Sequence, residues 1–226
     1  MNTSKVKEYF DAYEMVKAPI HVIGCGAIGS HVSEQLARLG CTNIHLWDFD
    51  KVEPKNIANQ MFFEDDIGKL KVDAVEDLLK RINSKIEVIK HPEGINDRTM
   101  IVNGYIFLCV DNIDLRRKIV ETNKMNPNCK CFLDFRMRLT DGQSYFADRR
   151  NRREVENLLN SMAFTSEEAK AATPVSACGV ELSVINNVKA IVSVGINSFI
   201  DFCKGLEAKN TVLLDLQCMA LDAFKI

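Results

Sequence analysis

Residues 19–30 read PIHVIGCGAIGS, and the reading of this stretch decides the fold. The run IHVI at 20–23 has the length and composition of a short buried strand. Gly24, Gly26 and Gly29 follow it in G-x-G-x-x-G spacing. Residues 27–39, AIGSHVSEQLARL, then carry a helical period that Gly40 suits as a stop. In a strand–turn–helix unit of this kind the first glycine permits the tight turn. The second lets a phosphate approach the backbone, and the third lets helix and strand pack closely. The free amides at the helix start, around Gly26, Ala27 and Ile28, together with the helix dipole, favour an anion there.

Working outward, NIHLWDFD at 43–50 reads as a second strand ending in acids. Asp48 lies 19 residues beyond Gly29, at the position from which a carboxylate reaches a ribose. NAD enzymes and ATP enzymes share these features, so both readings stand at this point. A loop of turn residues over 52–63 is followed by an amphipathic helix at 68–83, a third strand at 85–91 and a fourth at 105–111. The fourth is apolar throughout, as a doubly covered parallel strand should be. A helix at 112–125 and a fifth strand at 130–138 follow, and a short amphipathic helix at 4–16 precedes the whole. This alternation predicts an open α/β sheet. After about residue 140 the pattern changes to an antiparallel strand at 142–148, a polar helical then irregular stretch at 151–177, a long apolar helix at 181–204 and a strand at 211–216.

The expected fold class is therefore α/β, a Rossmann-like open mixed sheet, mostly parallel in its N-terminal half with antiparallel C-terminal strands. One domain over 1–226 is the simplest count, with a nucleotide-binding half at 18–135 and a C-terminal half at 136–226. A net charge of −2 supplies no basic field for nucleic acid or an anionic membrane. The local basic run DRRNRR at 148–153 reads as a solvated helix start. No apolar stretch reaches the ~18 residues that span a bilayer. The first residues, MNTSKVKEYFDAYEMVK, lack an apolar signal core, so a cytoplasmic protein with reduced thiols is expected despite eight cysteines.

The stretch LWDFDKVEPKNIANQMFFEDDIGKLKVDAVEDLLKRIN separates the nucleotides. It carries Asp48 and Asp50 in D-x-D, then Val52-Glu53, Asn56 and Gln60, then Asp66-Ile67-Gly68 and Lys71; Cys109-Val110-Asp111-Asn112 comes after the fourth strand. In order and spacing this resembles the ThiF/MoeB/HesA family, relatives of the ubiquitin-activating enzymes, over roughly residues 18–135. The C-terminal portion resembles the family more loosely, through one apolar helix and a closing strand pair.

The resemblance implies ATP- and Mg²⁺-dependent adenylation of a C-terminal carboxylate. That carboxylate is usually the Gly-Gly tail of a small ubiquitin-like β-grasp protein, and the enzyme is usually a homodimer. It places Lys71 at the phosphates as a point charge, Asp111 on Mg²⁺ beside Asn112, Asn56 and Gln60 as donors to phosphate oxygens, Asp48 on the ribose and Asp50 near phosphates or metal. Two anions must meet, so the site has to neutralise charge as it spreads onto phosphoryl oxygens. Some members pass the activated tail to a cysteine. Cys178, just before the long apolar helix, occupies the comparable region, where a helix N-terminus would lower its pKa; the residue also reads as a small buried apolar side chain with no reactive role. Asn112 can also cap the following helix, and Asn56 can close a turn.

The chain departs from the family at two places. Arginine usually precedes the glutamine of the motif, and here the position is Asn59; another cation such as Lys55, or a partner chain, must supply that charge, or turnover is weak. Structural zinc is not expected, because the chain has no C-x-x-C pair. Cys25 reads as a packing thiol, and Cys41, Cys109, Cys203 and Cys218 as core or half-buried thiols. Rival readings keep ATP but activate a carboxylate on a modified tRNA base, use NAD in an oxidoreductase, or retain only a nucleotide-binding module of weak activity.

Overall fold

The structure is a computed structural model that describes residues 1–173, 175 and 182–226. Among them, eight strands form one sheet in the order β3-β2-β1-β4-β5-β6-β7-β8. The strands are β1 (Ile20–Ile23), β2 (Asn43–Trp47), β3 (Glu87–His91), β4 (Gly104–Leu108), β5 (Cys129–Met137), β6 (Asp141–Asp148), β7 (Thr211–Asp215) and β8 (Ala220–Phe224). The first five are parallel, and β5 to β8 are joined antiparallel. The expected mixed sheet is thus observed.

The order 3-2-1-4-5 reverses between β1 and β4, because the chain leaves β3 and crosses back to the far side of β1. In open α/β sheets ligands bind outside the C-terminal strand ends at such a reversal. Helices α2 (Ala27–Arg38), α3 (Lys71–Ile82) and α7 (Ile185–Cys203) cover one face, burying Val32, Leu36, Val75, Leu79, Ile191 and Phe199 against Ile20, Val22, Phe107 and Phe135. Helices α4 (Ile113–Asn123) and α5 (Arg152–Asn160) cover the other, against Ile106, Leu108 and Phe132. Successive strand residues point to opposite faces, so β4 is buried at every position, as its unbroken apolar run requires.

Two expectations are corrected. The helix predicted over 4–16 is reduced to turns and a four-residue α1 (Ala12–Met15), since this segment buries only Phe10 and Ala12 and has no continuous apolar stripe to hold a longer helix down. Cys218 is exposed, in the turn between β7 and β8, rather than half-buried. The polar stretch after β6 contains α5 and the short α6 (Ser166–Ala171); α5 is capped by Asn151 and starts on the exposed Arg152 and Arg153, the solvated helix start read from the basic run. No helix among the described residues is long and apolar enough to cross a membrane.

Candidate active site

The glycine turn is built by steric necessity. Gly24 has φ +95°, and a Cβ there would lie 2.8 Å from the backbone of Cys109 and Val110, where β4 ends. A Cβ on Gly29 would come 1.8 Å from the Gly24 carbonyl oxygen. These two glycines therefore let the turn, α2 and the end of β4 pack together. Gly26 is different. It caps α2, and a Cβ added to it would meet nothing within 4 Å. Open space thus lies over the amides that begin α2, where a helix N-terminus favours an anion.

The acids after β2 are wired to this turn. The Cys25 N–H donates to Asp48 Oδ2 at 2.7 Å, and the Asp50 N–H donates to Asp48 Oδ1 at 2.8 Å. Asp50 Oδ2 in turn accepts from Lys71 Nζ at 2.9 Å, while the Lys71 N–H donates to the Asp50 carbonyl at 2.9 Å. Burial pushes the Asp48 carboxyl above its usual range, and the two amide donors and the Lys71 ammonium pull it partly back. Lys71 itself is only 8 % exposed, so its ammonium is confined to the crevice.

Between Asp50 and Lys71 the chain makes a closed excursion. Its ends are tied by the Val52 N–H to Lys69 carbonyl bond and the Gly68 N–H to Val52 carbonyl bond, each 2.9 Å. Its middle folds onto the start of α2, where the Met61 N–H donates to Ser30 Oγ at 3.1 Å and His31 Nε2 lies 3.3 Å from the Asn59 carbonyl. Asn56 is buried here; its Oδ1 accepts from the Glu53 N–H at 2.8 Å, which is the turn-closing role. Gln60 Oε1 is buried without a hydrogen-bond partner. Lys55 pairs with Glu53 at 2.9 Å.

On the other side of the crevice, Asp111 is exposed one residue past the Val110 backbone that touches Gly24. Asn112 caps α4, its Oδ1 accepting from the Leu115 N–H at 2.9 Å and from Ser166 Oγ at 3.2 Å. The structure therefore brings Gly24, Gly26, Gly29, Asp48, Asp50, Lys71 and Asp111 around one reversal point. It spends the Asn56 and Asn112 carbonyls on local caps. Cys178 lies outside the described residues. Burial pushes the Cys25 and Cys109 thiols up, which makes them packing groups and poor nucleophiles.

The ThiF family profile matches residues 10–129, more than half of the chain. The chain belongs to the ThiF family. It is 29% identical over 126 residues to the molybdopterin-synthase adenylyltransferase of Escherichia coli, covering 53% of this chain and 48% of that protein. It is 32% identical over 126 residues to the ubiquitin-like modifier-activating enzyme 5 of Caenorhabditis briggsae, covering 47% of this chain and 28% of the relative. Its fold matches the crystal structure of Escherichia coli MccB with ATP at a TM-score of 0.72 and 20% identity, covering 93% of this chain and 64% of that one. The chain spans about half or less of the length of these curated relatives.

Sequence reasoning missed one buried group beside this ThiF-family site. Asp134, on β5, is fully buried between Arg116 and Arg136. Its signal was legible as an acid with an arginine two residues on, inside the otherwise apolar run at 131–137.

Proposed function

We propose that this chain is an ATP-dependent adenylyltransferase that activates a C-terminal carboxylate with release of pyrophosphate. The substrate class we infer is the Gly-Gly tail of a small β-grasp protein, and the working unit a homodimer. The observation that carries the reading is the continuous hydrogen-bonded path from the glycine turn through Asp48 and Asp50 to the buried Lys71 ammonium. The names of the relatives support it: both curated proteins above are named for adenylyl transfer or modifier activation.

In this mechanism the turn amides at Gly26, Ala27 and Ile28 bind phosphate oxygens, and the absent Cβ of Gly26 leaves them room. Asp48 orients the ribose while remaining tied to the Cys25 and Asp50 amides. Lys71 exchanges its half-exposed partner Asp50 for phosphoryl oxygens, whose charge grows as the carboxylate approaches. Asn56 and Gln60 offer their side-chain amide N–H groups on the α2 side. Asp111 is the residue that would hold Mg²⁺. Mg²⁺ uses one or two carboxylates and takes its other ligands from phosphate and water, and Asp111 offers an exposed carboxylate just past the end of β4. When bound, Mg²⁺ supplies charge neutralisation at the phosphates. Positioning and electrostatics suffice for this step.

The test is pyrophosphate–ATP exchange with β-grasp proteins ending in Gly-Gly encoded by the same genome. Wild type is compared with Lys71→Ala and Asp111→Ala. A loss of about 100-fold in each variant is expected, the size seen when a principal electrostatic group is removed. Exchange retained in both variants overturns the site assignment. ATP binding without exchange selects the weak nucleotide-binding module, and exchange that needs tRNA selects the modified-base reading.

A further inference from the structure

A buried carboxylate in a central strand is an expensive way to stabilise a sheet, because desolvation of the charge offsets most of what its partners return. Asp134 is 0 % exposed and shares β5 with Phe132 and Phe135. Both of its oxygens are committed. Oδ1 accepts from Arg116 Nη1 at 2.5 Å and Oδ2 accepts from Arg136 Nε at 2.6 Å.

The two arginines do different things with the rest of their donors. Arg116, on α4, sends Nε to the Val110 carbonyl at 2.6 Å and Nη1 to the Phe135 carbonyl at 2.6 Å, and Nη2 also donates to Val110. It thereby grips the last carbonyl before Asp111. Arg136 points the other way. Its Nη1 and Nη2 donate to the carbonyl and hydroxyl of Ser161 at 2.7 and 2.9 Å, and its guanidinium lies over the Tyr145 and Phe164 rings at 4.4 and 5.6 Å from their centroids. The same segment is held from α4 by Arg117, which donates to the carbonyls of Met162 and Phe164, and by Ser166, whose N–H and hydroxyl donate to Asp114 and Asn112 at 3.2 Å each. Residues 161–166 lead into α6.

We propose that Asp134 is a positioning residue. By drawing Arg116 and Arg136 to one buried carboxylate, it makes the β4–α4 turn that bears Asp111 and the 161–166 segment behave as one unit. The fork geometry of each guanidinium lets it hold Asp134 and a backbone carbonyl at once, which an ammonium could not do in the same plane. Asp134 touches no reacting atom. Its effect on turnover passes through the direction in which Asp111 leaves the sheet, and this kinetic consequence rests on the adenylation reading above.

The experiment compares the full chain with Asp134→Asn, an isostere that keeps one acceptor, by hydrogen–deuterium exchange and by pyrophosphate–ATP exchange. Peptides over 110–117 and 161–166 are expected to exchange about tenfold faster together, while 20–38 is unchanged, because local opening is raised without a general loss of stability. The kcat is expected to fall about tenfold or more with KM for ATP within about twofold, the pattern of an interaction made only in the transition state. A merely structural role would speed exchange in all three peptides and leave kcat per folded molecule intact, and that result overturns the proposal. So does unchanged protection in both segments. Should Asp134→Asn fail to fold, Arg136→Lys removes the guanidinium fork that joins Asp134 to Ser161 and leaves Arg116 on Asp134 and the Val110 carbonyl. The expectation is then faster exchange at 161–166 and a lowered kcat, and wild-type behaviour overturns the proposal. If wild type itself shows no pyrophosphate exchange, the adenylation reading fails, and the paired protection of the two segments alone decides whether Asp134 joins them.

Discussion

Lys71 and Asp50 meet at 2.9 Å, so the cation that opens α3 and an acid that follows β2 neutralise each other across the mouth of the crevice. The pair is asymmetric. The Lys71 side chain is 10% exposed and that of Asp50 52%, so the ammonium stays in place while the carboxylate is free to turn to solvent. A partly exposed ion pair contributes little to stability, because water screens it. Lys71→Ala should therefore shift the thermal midpoint only slightly and still cost about 100-fold in pyrophosphate exchange. Lys71→Arg should not restore activity, since a planar fork does not replace a compact point charge. Scanning calorimetry beside the exchange assay separates the two effects; a large midpoint shift in Lys71→Ala would make the pair structural.

The three glycines of the turn should separate by phenotype. Gly29→Ala forces a methyl group to within 1.8 Å of the Gly24 carbonyl oxygen, so a loss of about 1–3 kcal/mol or more is expected from overpacking. Gly24→Ala adds an unfavourable φ of +95° to its own clash with the end of β4. Gly26→Ala meets nothing, and it should cost less than about 1 kcal/mol as a poorer helix cap. Its methyl group would nevertheless fill the space over the α2 amides. ATP titration should show an affinity loss of about tenfold or more in a fully folded Gly26→Ala protein. Unaltered affinity would place the phosphates elsewhere.

Three histidines form a row across the parallel strands. His21 lies beside His45, His45 Nδ1 is 3.1 Å from His91 Nε2, and His91 stacks on Trp47 at 3.5 Å between centroids. Only one proton fits between His45 and His91. Burial lowers all three pKa values, that of His21 to about 3 with help from neighbouring His45, and the Glu93 carboxylate 3.7 Å from His91 Nδ1 offsets part of the shift there. Because the folded pKa lies below the unfolded one, the unfolded chain binds more protons as the pH falls from about 6.5. Stability is thus complete above that pH and declines below it, by up to about 1.4 kcal/mol per pH unit for each such group. Trp47 is the only tryptophan, so its fluorescence should titrate with a midpoint below 6.5. His91→Gln should remove that change, and a signal that persists in the variant would assign it to another group.

Gly195 sits in α7 where a Cβ would come 2.2 Å from the Phe135 ring. Alanine has the better helix propensity by about 1 kcal/mol. Phe135 is fully buried and stacked on Phe107, so it cannot swing away, and overpacking of about 1–3 kcal/mol should win. Urea unfolding of Gly195→Ala gives the sign directly; a stabilised variant would show that the helix can shift.

Much of the architecture was readable from short-range pattern. The apolar run and glycine spacing at 20–29, the amphipathic period of α3 and the unbroken apolar β4 each fix backbone geometry or burial within a dozen residues, and the parallel half of the sheet follows from their alternation. Asp48 stood out by its distance from Gly29, whereas Asp50, Lys71 and Asp111 were singled out by resemblance to the ThiF/MoeB/HesA motifs. Local pattern misled at 4–16, where a helical period existed without enough buried surface to support a helix. It also left the roles of Asn56 and Asn112 undecided, because a side-chain amide has the same composition whether it caps a turn or faces a ligand.

Side-chain partnerships between elements were decided only by the tertiary structure. Asp134 and Arg116 are 18 residues apart, His21 and His91 stand on strands separated by β2, and Asp111 approaches the glycine turn because β4 crosses to lie beside β1. Sequence sets which face of each strand is apolar. The crossover from β3 to β4 and the register of the parallel strands then set which polar groups share the crevice, and that register comes from packing both faces of the sheet at once.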